Sequence, residues 1–388
     1  MKQKVCLAMI FITVILLLVT LACAPASPPP SPPTPLKAAA PPPTIDTTTS
    51  AQRQASAQDA EWNKIIEAAK AEGSVVMYAG SDFGGPIRPA IINGFKEKYG
   101  INVSILVGRG QDGLQRVKVE KQIKRPVADM VQTGGTSTSN FLQEDLADPL
   151  DKLLPELQIN KDKFNYNPVY DPQGRAIAVT DITLGPMINT NLVKPADEPK
   201  SWFDLINPKW KGKILIADPR RGGGGMSAFQ TIQYYKIADE NFFVKLLELE
   251  PGLWGGSTQE HDNMIARGEY AMAFSTAFEL AMPLVTEGAS IKFMDMKEGQ
   301  PVQTGNIALV KDRPHPNAAR LLANWLISAE GQKLIHSSRG SKSVRKDVGD
   351  FTPEKARYKI SKPLVRDFKV TSTITTYQDM AKRLFAKK

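Results

Sequence analysis

The chain has 388 residues, 42% hydrophobic and 23% charged, with 49 Lys and Arg against 40 Asp and Glu for a net charge of +9. A sequence this long and apolar exceeds one compact core and is too hydrophobic to stay disordered, and its two cysteines exclude a disulfide-stapled scaffold. The basic excess is spread along the chain without clustered Lys/Arg and aromatics, so no nucleic acid is expected as a partner.

Residues 1–22 set Lys2 and Lys4 ahead of an unbroken apolar run and close on small residues, the layout of an export signal. The ending "VTLAC" resembles the lipobox of bacterial lipoproteins, with Thr20 where leucine is usual. That resemblance implies cleavage before Cys23 and lipidation of its thiol, anchoring the exported protein on the outer face of the cell membrane or in the periplasm. A plain signal and an uncleaved anchor are the alternatives. Cleavage would leave 47 basic against 40 acidic residues, a mild net +7. Residues 23–57 hold 10 of the 29 prolines, all between Pro25 and Pro43, amid Ala, Ser and Thr. Such a stretch buries no core; it favours polyproline II at about 3.1 Å per residue and reads as a tether.

Beyond it, "AQDAEWNKIIEAAKAEG" places Trp62, Ile65, Ile66 and Ala69 at helical spacing and stops at Gly73. Strands are predicted at "SVVMYAG", "INVSILVG" and "VADMVQTGG", with helices in "SDFGGPIRPAIINGFKEKYG" and "LQRVKVEKQIK" between them. Strand alternating with helix predicts a parallel sheet. Residues 176–191, "AIAVTDITLGPMINTN", are β-rich without a helix and suit a crossing between lobes. The alternation then resumes: strand "GKILIAD", helices "MSAFQTIQYYKIA" and "NFFVKLLELE", strands "EYAMAFS" and "GNIALV", and one long amphipathic helix "NAARLLANWLISAEGQKLI". The fold class is α/β, two lobes that are each a mainly parallel sheet flanked by helices, joined by hinge strands at 176–191 and near Gly305. Lobe 1 takes residues 58–180 and 304–345, lobe 2 residues 181–303 and 346–388.

"AKAEGSVVMYAG", "ADMVQT", "SWFDLINPKWKGKILIADP", "IARGEYAMAF" and "DRPHPNAARLLANWLISAEGQ", in this order and spacing, resemble the extracellular solute-binding proteins of ABC importers, specifically the group typified by ferric-iron-binding proteins. The resemblance spans residues 62–348. It implies a type II periplasmic-binding clamshell, a monomer that closes on a small solute and delivers it to an ABC permease, without a cofactor and without enzymatic activity. Iron-binding members of that group hold the metal with a histidine after the first strand, a glutamate after the third and two adjacent tyrosines in the second lobe. Here Asp82 stands at the first position, Thr133, Gly134 and Gly135 at the second, and "FSTAFELA", residues 274–281, at the third. Ferric iron needs anionic oxygen donors, and Asp82 and Glu279 are all this constellation offers, so no metal site is expected. A ferric importer with non-tyrosine or anion-assisted ligation is the alternative. Tyr234 and Tyr235, upstream of the matching position, read as one core and one surface residue.

"IADPRRGGGGMSAFQ" holds the loop that, by the same resemblance, contacts the solute or its accompanying anion. Gly222, Gly223 and Gly224 let successive N–H groups converge, and a helix start adds partial positive charge. Ser227 is expected to cap that helix and Arg221 to grip an oxyanion in two-point fashion. The facing lobe offers Gly80, Ser81 and Asp82, then Thr133, Gly134, Gly135 and Thr136; Ser275, Thr276 and Glu279 complete the set. The partner solute is then a small oxyanion or a carboxylated organic molecule, with Phe278 as a stacking surface and Trp254 assigned to the core. A loose surface turn with solvated arginines is the bland alternative.

Two other classes compete. "GRGQDG", from Gly108 to Gly113, matches a dinucleotide-binding fingerprint with Asp129 about 20 residues on, although Asp129 precedes its apolar step instead of ending the strand. No hydrolase motif surrounds His261, His315 or His336, and His315 in "RPHPN" reads as a surface turn. A sensor or adhesive lipoprotein on the same clamshell is the other class.

Overall fold

The computed structural model describes residues 50–108 and 110–386. The export signal at 1–22, Cys23 and most of the tether lie outside the described residues. Helix α1 (Ser50–Glu72) begins inside the stretch expected as a tether. No proline follows Pro43 there, and Ala and Gln are good helix formers. Gly73 ends the helix at φ +70°, its N–H donating to the Ala69 carbonyl at 3.0 Å.

The elements that follow are β1 (Ser74–Ala79), α2 (Ile87–Tyr99), β2 (Asn102–Val107), α3 (Gly110–Gln122), β3 (Met130–Gly134), α4 (Gly135–Gln143), β4 (Ala147–Asp148), α5 (Pro155–Ile159) and β5 (Ile177–Asn189). After them come β6 (Ile214–Ala217), α6 (Gly223–Tyr234), α7 (Glu240–Glu248), β7 (Gly252–Trp254), α8 (Thr258–Ala266), β8 (Met272–Ala277), α9 (Phe278–Thr286), β9 (Ile291–Phe293) and β10 (Gln300–Val310). The chain closes with α10 (Pro316–Ile327), α11 (Ala329–Arg339), β11 (Pro363–Arg366), α12 (Phe368–Thr371) and α13 (Ile374–Phe385). The α/β class read from the sequence is the architecture observed.

The long amphipathic helix expected around "NWLISAEG" is two helices. Ser328 adopts an extended backbone between α10 and α11, and its hydroxyl accepts the Gly331 N–H at 3.2 Å. The apolar pattern runs on across the break because both helices bury the same face.

Strands follow the order β2-β1-β3-β10-β5-β8-β6-β7. β1 is parallel to β2 and β3, and β6 is parallel to β7 and β8. The antiparallel strands β10 and β5 join the two parallel groups. β5 does this by changing neighbours: Ile177 to Thr183 pair with β10, Leu184 to Asn189 with β8 and β9. One hydrophobic cluster gathers Met77, Phe95, Ile307 and Trp325; another gathers Trp202, Phe229, Phe243 and Phe274, with Ile374 and Phe385 of α13 sealing it. β11 adds to the sheet in parallel with β10, setting Arg366 opposite Gln303.

Candidate functional site

Side chains alternate along a strand, so Thr180, Ile182 and Leu184 share one face of β5 while Asp181 and Thr183 share the other. Thr180 pairs with Gly305 and Ile182 with Gln303, which puts these four on a common face. Position 305 has no room for a side chain, since a Cβ there would lie 2.5 Å from Asp82 Oδ2 and 2.9 Å from Gln132 Nε2. Asp82 is buried and accepts from Gln132 Nε2 at 2.7 Å and Thr180 Oγ1 at 3.1 Å. Gly80 donates its N–H to the Gln132 carbonyl at 2.8 Å, holding the segment beside β3, while Ser81 is exposed. Asp82 is thus an internal acceptor, with Gln132 and Thr180 as partners that sequence reasoning missed.

Two helix starts approach this face. At α4 the N-cap is Gly134, with no side-chain cap, and a Cβ on it would meet Gln303 Nε2 at 2.6 Å. Thr133 shares a hydrogen bond with the Thr138 hydroxyl at 2.9 Å, and the Gly135 carbonyl accepts from Tyr170 at 2.8 Å. At α6 the N-cap is Gly222, again without a side-chain cap, with Gly222 at φ +81° and Gly223 at φ +63°. Ser227 does not cap the helix as expected. The helix begins four residues earlier, and the Ser227 hydroxyl instead donates to Gln303 Oε1 at 2.7 Å. Gly224 leans on β5, its Cβ position 3.5 Å from Leu184 Cδ2, and the Cβ positions of Gly222 and Gly223 are open. Gln303 therefore meets both glycine-rich stretches, the one at Gly134 and the one leading into Ser227.

Among the described residues the exposed Arg221 makes no side-chain hydrogen bond or ion pair, whereas its neighbour Arg220 is locked onto Asp218 at 2.8 Å. Thr136 receives a hydrogen bond from Arg366 Nη2 at 3.3 Å. Arg366 was also missed by the sequence, whose one signal was a charge within the short apolar strand "PLVR".

Glu279, Ser275 and Thr276 are not gathered with these groups. Glu279 is buried and accepts the Thr183 N–H at 2.8 Å and the Tyr358 hydroxyl at 2.5 Å; Tyr358 also meets Thr183 Oγ1 at 3.3 Å. It belongs to the other face of β5, where Asp181 accepts from Tyr166. Burial raises the Glu279 carboxyl, and burial reinforced by the Glu279 charge pushes Asp181 up to about 7 despite the Tyr166 hydrogen bond. Thr276 donates to Asp262, which also meets His261 Nδ1 at 2.9 Å, and the buried Ser275 hydroxyl has no partner among the described residues. Phe278 is buried and stacked on Phe293 with centroids 4.4 Å apart, so it offers no stacking surface. Trp254 is half-buried, its indole N–H donating to the Ser257 carbonyl at 2.8 Å. Tyr234 is half-buried and not a core residue, and the exposed Tyr235 donates to the Val365 carbonyl at 2.8 Å. Among the described residues no three of His, Cys, Asp and Glu are grouped to hold a metal.

Residues 80–333 match the family described as bacterial extracellular solute-binding protein. The chain belongs to this family. It is 27% identical over 281 residues to an uncharacterized protein of Haemophilus influenzae, covering 70% of this chain and 77% of that one. It is 24% identical over 274 residues to a Salmonella typhimurium periplasmic protein named for 2-aminoethylphosphonate binding, covering 68% and 75%. Iron-bound HitA from Pseudomonas aeruginosa matches with a TM-score of 0.66 and 18% identity over 80% of this chain and 99% of that one. AfuA from Actinobacillus pleuropneumoniae, with fructose-6-phosphate bound, matches with a TM-score of 0.63 and 21% identity over 81% and 97%. The fold is that of type II periplasmic binding proteins, and this solute-binding protein works for ABC import, handing a small solute to a membrane permease outside the cytoplasm.

Family members are binding proteins, not enzymes, and the dinucleotide alternative loses its acid. Asp129 is fully buried and staples the sheet, accepting from the Val76 N–H at 2.7 Å and the His315 N–H at 2.7 Å. His315 is not a free surface turn, since its ring bonds Asp129 at 2.9 Å and Ser74 at 3.1 Å.

Proposed function

We propose that the solute is a small oxyanion or an organic molecule carrying one, captured between two lobes that rock about β5 and β10. The observation that carries this is the approach of two glycine-started, side-chain-uncapped helices to one face of β5 and β10: α4 meets Gln303 at Gly134, while α6, capped by Gly222, meets Leu184 at Gly224 and Gln303 through Ser227 in its second turn. Each such end exposes backbone N–H groups and about half a positive charge, a ready seat for negative oxygen. Arg221 at the rim is free to close over the ligand in two-point fashion. The relative named for 2-aminoethylphosphonate binding supports a phosphonate head. A ferric ligand set is poorly served here, because Asp82 and Glu279 are already hydrogen-bonded inside the fold. The protein works as a monomer held by a lipid on Cys23, its Pro-rich tether spacing it from the membrane.

Calorimetry on the purified protein with 2-aminoethylphosphonate, methylphosphonate, inorganic phosphate and ferric citrate tests this. Binding of at least one oxyanion with a dissociation constant of about 1 μM or tighter is expected. Tight uptake of ferric iron with every oxyanion silent would overturn it.

A further inference from the structure

Arg366 ends β11 and is fully buried. Pairing of β11 with β10 sets it beside Gln303, and its guanidinium reaches from there to both helices of the site. Nη1 donates to Gln303 Oε1 at 3.3 Å; Nη2 donates to Thr136 Oγ1 of α4 at 3.3 Å and to Gln230 Oε1 of α6. Among the described residues the buried Nε hydrogen has no partner. A guanidinium carries five donors; among the described residues three of them are used here, two at the long end of the hydrogen-bond range, and the Nε hydrogen and one Nη1 hydrogen are idle.

Among the described residues no carboxylate forms an ion pair with this cation. The contrast with Arg345 shows how the same chain treats another buried arginine: Arg345 is paired with Glu156 and with Asp347, the latter at 2.8 Å. Asp367, next to Arg366 in sequence, is turned away to cap α12 by accepting the Val370 N–H at 3.1 Å. Burial lowers the Arg366 guanidinium to about 10, which still leaves it charged at neutral pH. A buried cation facing only neutral oxygens is an unbalanced charge, and an anion brought alongside would balance it. The balancing position adjoins the uncapped start of α4, because a Cβ on Gly135 would stand 3.8 Å from Arg366 Nη1.

We propose that Arg366 is the specificity-determining residue of the site, receiving the negative oxygens of a phosphonate or phosphate-monoester head between its guanidinium and the first turn of α4. The anion takes one Nη1 and one Nη2 hydrogen along the edge that faces α4, releasing Gln303 Oε1 and Thr136 Oγ1, and its remaining oxygens take the N–H groups of the helix start. This rests on the oxyanion reading of the solute and names the charge that reads it.

The test uses Arg366→Gln and Arg366→Lys, each titrated with methylphosphonate and with 2-aminoethylphosphonate and each melted without ligand. R366Q is expected to lose about 100-fold in affinity, and R366K, which keeps the charge but not the planar fork, about tenfold. Ligand-free R366Q is expected to melt no lower than wild type, since it removes an unbalanced charge; a merely structural bridge would show a lower melting temperature. Wild-type affinity in a folded R366Q defeats the inference. Should R366Q fail to fold, wild-type affinity in R366K defeats it in the same way. Silence of the wild-type protein toward both phosphonates while inorganic phosphate binds defeats the head group inferred here; silence toward all three defeats instead the oxyanion reading beneath it.

Discussion

A methyl group at position 305 would enter the hydrogen-bonded cluster of Asp82, Gln132 and Thr180. None of those three can retreat easily, since Asp82 and Gln132 are buried and bonded to each other at 2.7 Å. Gly305→Ala is therefore expected to lower stability by about 1–3 kcal/mol, as overpacking does, and to weaken solute binding, both readable by urea unfolding and calorimetry. Arg221→Ala should behave oppositely: an exposed side chain without an ion pair leaves the melting temperature unchanged, while affinity for an oxyanion falls by about 1.5–3 kcal/mol. Full affinity in R221A would remove Arg221 from the ligand. On the other face of β5, Asp181 lies among Tyr166, Glu279, Lys342 and Arg339, and its carboxyl is raised from 3.8 to about 7. The folded state thus holds this proton more tightly than the unfolded chain. The stabilisation is complete below about pH 4 and is lost as pH rises through 7. Asp181→Asn should flatten that decline in scanning calorimetry from pH 4 to pH 7, and an unaltered pH slope would show that the proton sits elsewhere.

At the scale of single elements, α6 shows what a glycine run is for. Gly223 has open space around its Cβ position yet sits at φ +63°, so Gly223→Ala should cost about 1–2 kcal/mol through backbone strain alone. Guanidinium unfolding would measure it, and a stability equal to wild type would mean that the turn can relax. That a helix follows β6 was legible because Gly222 to Gly225 can hardly continue a strand, but its start was not: the glycines expected as a loop before Met226 form its first turn. The start of α4 was not either: β3 runs straight into "GGTSTS", and its helix shows only through Thr138, whose hydroxyl turns back to the Thr133 carbonyl at 3.1 Å. Hydrophobic spacing likewise found one helix where Ser328 divides two, since periodicity records the buried face and not the backbone bond that interrupts it. Arg366 was illegible for a different reason. Its partners Thr136 and Gln303 lie 230 and 63 residues away, and no local pattern encodes such distances. Glu279 failed the other way, a residue in a plausible place whose carboxylate is bonded to Thr183 and Tyr358 on the far face of β5.

For the whole molecule, β5 and β10 are the only strands of the main sheet path between its two parallel groups among the described residues, so the proposed rocking of one group against the other would be concentrated in them. Saturating solute should then contract the protein as the lobes close, lowering the radius of gyration measured by small-angle scattering; an unchanged value would count against closure. The same topology bears on how the protein is made. β10 lies between β3 and β5, and its pairing joins Leu309 to Met130 across nearly half the chain. Until residue 310 has been synthesised, both neighbours lack their shared partner, and such long-range pairing forms slowly. A nascent chain leading with its amino end has no finished sheet to collapse into, and can reach a translocation channel as a loose thread.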